Sequence, residues 1–200
     1  MIRRLLSLVT LLLMLTGGAL GNGVIPNFRE TAADVSQNAP FSFRGGVKWN
    51  MSREQVQATD SVPLTERNQD SWSILFPLNP IEVSRFTADL VYMFYNDQLK
   101  MISYDFGTTG TSADYAYLTG ALDSVYGEHT VPEAYEIIGI MDQIYPGYYT
   151  EKNLTHLLCW TSGDDTRIFQ YYYGENAYAI LYVCMTAGSP GQSGYVTTGL

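Results

Sequence analysis

The chain has 200 residues and a mass of 22.3 kDa, 46% of it hydrophobic, 14% aromatic and 16% charged, which is enough apolar material for a core and a length of roughly one domain. Eleven basic against 20 acidic residues give a formal charge of −9 and a pI near 4.5, a balance that repels a phosphate backbone and argues against a nucleic-acid partner. Two cysteines are too few for a disulfide scaffold or a four-cysteine zinc site.

Residues 1–21 read as a signal peptide. Arg3 and Arg4 supply a positive start, Leu5 to Leu15 an apolar run, and Ala19 and Gly21 the small residues of a cleavage site before Asn22. The run is shorter than the ~20 residues that span a bilayer, and no cysteine stands at the cleavage site for lipid attachment. The expectation is export, with no transmembrane segment after cleavage.

Residues 22–40 are polar and aperiodic and read as a flexible leader, and a single domain is expected over residues 41–186. It opens on the alternating Phe41-Ser42-Phe43. A helix then starts at Arg53: Ser52 and Gln55 form a capping box, and Met51 and Val56 can staple its entry. Alternation from Trp72 to Phe76 predicts a strand ended by Pro77. Runs from Ala88 to Tyr95 and from Gln98 to Phe106 flank Asn96-Asp97, a pair suited to a tight hairpin turn. Tyr115, Leu118, Leu122 and Val125 mark one stripe of a helix over residues 112–126, capped by Thr111 or Ser112 and ended by Gly127. Pro132 to Ile144 suggests a third helix, stopped by Pro146-Gly147. Three strands follow, Thr155 to Thr161, Thr166 to Tyr173 and Ala177 to Met185, and residues 187–200 form a flexible tail. The fold class is therefore α+β: an antiparallel sheet packed by two or three helices, in an order that fits a duplicated helix-plus-three-strand unit.

The segment Gly46-Val47-Lys48-Trp49-Asn50-Met51-Ser52-Arg53-Glu54-Gln55-Val56 resembles the G-x-x-W/F-G-M-S-x-E-x-V opening of small exported α+β domains. Those include outer-membrane-assembly lipoproteins, and the segment is similar to the helix-and-sheet fold of the β-lactamase inhibitory protein. Asn50 stands where glycine is usual, and asparagine is the next best residue for a left-handed position. The hairpin residues Tyr92, Phe94, Leu99, Ile102, Tyr104 and Phe106 and the run Leu122, Val125, Tyr126, Gly127 extend the likeness. It implies a bacterial binding or scaffold domain and carries over no catalytic residue.

Chemistry is thin. His156-x-x-Cys159 has a metal-like spacing without further ligands, no nucleophile, phosphate-loop or calcium-loop motif is present, and nothing singles out a cofactor. An oxidising compartment favours a Cys159–Cys184 bond. A meander of the last three strands opposes it, placing the two about 9–10 Å apart against a limit of ~7 Å.

Residues 101–200 carry Lys152 and Arg167 against 11 acids, and all 16 tyrosines lie between Tyr92 and Tyr195. Tyr171, Tyr172, Tyr173, Tyr178 and Tyr182, with Tyr148-Tyr149 upstream, are the candidate binding residues: strand alternation sets Tyr172 on one sheet face and Tyr171 and Tyr173 on the other, and tyrosine offers contact area at low entropic cost. The expected function is an exported, non-enzymatic domain that binds a basic protein or cell-envelope partner through this sheet face. A small hydrolase working with paired carboxylates and a small-molecule module are the alternatives.

Overall fold

The computed structural model describes residues 43–69, 71–108, 111–174 and 176–186; the expected signal peptide, leader and tail lie outside them. Helices α1 (Arg53–Thr59), α2 (Ser112–Tyr126) and α3 (Ala134–Met141) accompany strands β1 (Leu64–Gln69), β2 (Trp72–Pro77), β3 (Ile81–Val83), β4 (Phe86–Tyr95), β5 (Gln98–Asp105), β6 (Leu154–Ser162), β7 (Thr166–Tyr173) and β8 (Ala177–Cys184). The sheet is antiparallel throughout, in the order β1-β2-β4-β5-β8-β7-β6, with β3 paired to β4 alone. The α+β class holds. The first half is α1 followed by strands β1 to β5 and the second is α2 and α3 followed by β6 to β8, and the last strands of the two, β5 and β8, pair at the centre. The halves are unequal: three strands follow α2 and α3, but the first half has the extra strand β1 as well as β3.

Helices cover both faces of the sheet. Val56 of α1 and Tyr115, Leu118 and Leu122 of α2 pack with Leu90, Tyr92, Ile102, Tyr104, Ile180 and Tyr182 on one face. Ile137, Ile140 and Met141 of α3 pack with Met93, Met101, Phe169, Leu181 and Val183 on the other. Burial on two sides explains why every residue of β8 is buried, the pattern of a central strand. Cys159 and Cys184 are free thiols on strands separated by β7 and on opposite faces, so the meander keeps them apart.

The motif at residues 46–56 is a clamp on this sheet. Phe43 leads into a 3₁₀ turn at Arg44–Gly46 rather than into a strand, and Asn50 takes the expected left-handed conformation at φ 65°. Asn50 and Met51 then exchange backbone hydrogen bonds with Leu99. The Trp49 indole N–H donates to the Thr166 hydroxyl at 2.7 Å, across to β7. Ser52 and Gln55 form the capping box. Arg53 donates through Nε to Asp97 at 2.7 Å in the β4–β5 turn and pairs with Glu66 of β1. That turn has both Asn96 and Asp97 at positive φ, as a two-residue primed turn requires.

Helix α2 begins as its sequence dictates: Thr111 accepts from the Asp114 N–H, and the Asp114 carboxylate accepts from the Thr111 N–H and hydroxyl at 2.9 and 2.8 Å. Thr111→Ala removes one arm of this box and is expected to lower stability by about 1 kcal/mol, read as a reduced urea midpoint with an unchanged slope. Helix α3 is shorter than expected, starting after Pro132 and Glu133 and ending at Met141. The chain then turns back across the sheet, fixed where the Gly147 N–H donates to Asp142 Oδ1 at 3.0 Å.

Candidate functional site

The five tyrosines singled out above fall into two separate groups. Tyr172, Tyr178 and Tyr182 face α1 and α2; Tyr171 and Tyr173 face α3 with Tyr149. The alternation is as expected, but the exposure is not. Tyr171, Tyr178 and Tyr182 are core residues, 1%, 1% and 3% exposed, and this corrects their assignment to a binding surface. The cause is helical cover on both faces, α1 and α2 over Tyr178 and Tyr182 and α3 over Tyr171. Tyr172 is half-buried and stacked on Tyr115 of α2, ring centroids 4.4 Å apart. Tyr173, also half-buried, donates its hydroxyl to Asp105 Oδ2 at 2.5 Å.

His156 and Cys159 do not converge. His156 is exposed, takes φ 52° at the β6 irregularity and packs by Tyr172; Cys159 is buried on the α3 side. Among the described residues no group of three histidine, cysteine or carboxylate side chains is placed to hold a metal. His129 has a structural setting instead. Its Nδ1 lies 2.9 Å from Asp123 Oδ1, which also accepts the Trp160 indole N–H at 2.9 Å. The hydrogen bond from His129 is the main cause holding the Asp123 carboxyl below its ordinary range.

The α3 side carries an acidic niche that the sequence reading missed. Asp89 on β4 stands directly opposite Asp105 on β5, and side chains so placed have Cβ atoms about 4.5–5.5 Å apart. Both are half-buried. Asp105 is held by the Gly107 N–H at 2.8 Å on Oδ1 and by Tyr173 on Oδ2. No described residue donates to Asp89, and among the described residues neither carboxylate has an ion-pair partner. Burial raises the pKa of both, and the charge of Asp105 raises that of Asp89 further. Tyr149 packs edge-on against Tyr171 and Tyr173, each at 6.1 Å, and Tyr148 against Tyr149 at 4.9 Å. Burial and the Asp105 charge keep all of these phenols protonated.

The surface around α3 has the same character. The exposed large apolar side chains among the described residues are Leu78, Tyr117, Val131, Tyr135 and Tyr148. Tyr117 is covered by the Arg85 guanidinium, 4.2 Å from its ring. Three of the other four, Val131 at 78%, Tyr135 at 52% and Tyr148 at 37% exposure, belong to the stretch around α3. Glu133 and Glu151 are exposed in the same stretch, exposed Glu128 precedes it in sequence, and Arg167 is committed to Glu136 at 2.5 Å. No family model, no curated protein and no solved structure matches this chain.

Proposed function

We propose that the protein is an exported, non-enzymatic binding domain whose α3 side receives a basic segment of a protein or cell-envelope partner. The observation that carries this reading is that exposed Val131, Tyr135 and Tyr148 share the stretch 128–151 with exposed Glu128, Glu133 and Glu151, while the Asp89–Asp105 pair has no ion-pair partner among the described residues. Large aromatic anchors amid one sign of charge suit a partner with lysine or arginine on an apolar background. The likeness of residues 46–56 to small exported binding domains and the signal-like residues 1–21 support the same reading. Hydrolysis would fall on Asp89 and Asp105, yet both oxygens of Asp105 are occupied by internal donors, which favours binding over catalysis.

The test uses the mature protein and two synthetic peptides of equal length, one rich in lysine, arginine and leucine, the other with glutamate in place of the bases, titrated by calorimetry. The basic peptide is expected to bind, with affinity falling as salt rises. Tyr135→Ala combined with Tyr148→Ala should weaken it about tenfold without moving the melting temperature. Equal binding of both peptides, or none of either, overturns the reading.

A further inference from the structure

The niche exists because of one residue. In the β4–β5 hairpin Phe94 pairs with Leu99, but Met93 pairs with Met101, so Lys100 is an extra residue that shifts the register. Its ammonium donates to Asn50 Oδ1 at 2.5 Å, in the clamp described above. Without this bulge Asp89 would oppose Tyr104 and Asp105 would point to the other face; with it two half-buried carboxyls confront each other, an arrangement that is destabilising when both are charged.

The other groups that face the pair do not neutralise it. Tyr171 and Tyr173 come from β7, and Tyr145, Tyr148 and Tyr149 from the chain after α3. Arg67 on β1 acts on Tyr145 but lies over the Phe76 ring, 5.7 Å from its centroid. Glu82 of β3, exposed and paired with Thr87, adds a further acid on the same face. Facing residues from β2 and β8 are uncharged.

We propose that Asp89 and Asp105 form a proton-operated latch: one proton shared between them keeps the Tyr145–Tyr149 stretch seated on the sheet, and its loss as the pH rises loosens that stretch. Asp105, accepting from Gly107 and Tyr173, is the ionised partner, and Asp89, to which no described residue donates, carries the proton. Burial, which displaces both carboxyls upward, puts the transition above the range in which unfolded carboxyls titrate. The folded state therefore holds an extra proton there, and the stabilisation it brings disappears as the pH passes through the folded value. The second charge appears on Asp89, directly opposite the Asp105 carboxylate that holds the Tyr173 hydroxyl, and the Tyr173 ring is the one against which Tyr149 packs at 6.1 Å.

Hydrogen exchange of residues 142–153, corrected for intrinsic rates, tests this from about pH 4, the ordinary carboxylate range, to about pH 8 in the wild type, Asp89→Asn and Glu82→Gln. The wild type should lose about tenfold protection across the range. Asp89→Asn should keep its protection throughout. Glu82→Gln removes one exposed negative charge from the same face, and it should behave as the wild type. Loss of protection in Asp89→Asn equal to that of the wild type, or a wild type with no pH dependence, overturns the latch. Carboxyl carbon NMR of the wild type gives a reading that needs no variant. One aspartate titrating well above the rest supports the shared proton, and titration of all of them in the ordinary range refutes it.

Discussion

Asp60→Ala is expected to destabilise the protein by about 3–5 kcal/mol, the range for removing one partner of a buried charged pair, and so to consume much of the stability of a domain this size. The Asp60 side chain is completely buried and lies 3.5 Å from the Arg44 guanidinium, itself 14% exposed. One oxygen accepts the Val62 N–H at 3.0 Å and the other the Tyr92 hydroxyl at 2.5 Å. Asp60 thus ties the end of α1 to the first turn of the fold and to the middle of β4, and Tyr92, with no exposed surface, has its phenol held protonated by burial and by this carboxylate. Removing the carboxylate orphans a guanidinium and a phenol in one step. Tyr92→Phe removes a single hydrogen bond and leaves the ion pair, so its cost should be only ~1–2 kcal/mol. Urea denaturation of the two variants tests the difference: equal losses would mean that the charge at Asp60 does not hold this corner together.

The sequence was informative where a single local device decides the outcome. The Ser52–Gln55 box, the cap at Thr111, the Asn96-Asp97 turn and the alternation of β7 each depend on neighbours a few residues away, and each is present in the fold. Strand β1, Leu64–Gln69, was illegible because it is an edge strand of largely polar residues, held by backbone pairing to β2 and by Arg53 rather than by an apolar face. Strand β3 is too short to show a period. The acidic niche was hidden for a different reason: whether Asp89 meets Asp105 or Tyr104 depends on a bulge at Lys100, and that bulge is fixed by the distant Asn50. Acids at inward positions of both hairpin strands were the available signal, and only the register turns that signal into a pair.

The tyrosines mark the same boundary, and they give the second large effect. Tyr178→Ala is expected to cost about 3–5 kcal/mol, as for other large aromatic truncations in a core. Its ring stacks on Phe106 at 4.9 Å, meets Tyr172 at 5.8 Å and Tyr115 at 6.0 Å edge-on, and so joins β5, β7 and α2. The backbone of Tyr178 also continues the ladder beyond β5, exchanging hydrogen bonds with Phe106 and Gly107. A cavity there would part the central strand from the helix that covers it. Tyr148→Ala, by contrast, truncates an exposed ring and should move stability by no more than ~0.5 kcal/mol. The sequence placed Tyr178 among the binding tyrosines because strand alternation sorts side chains by face without saying which faces are covered. Thermal unfolding monitored by near-ultraviolet circular dichroism separates them: a large fall in melting temperature for Tyr178→Ala with none for Tyr148→Ala is the expected pattern. Any partner lost by the first variant is then lost through unfolding, and a partner lost by the second is lost from the surface. Near-equal melting temperatures for the two would mean that the aromatic core around Phe106 does not carry the fold.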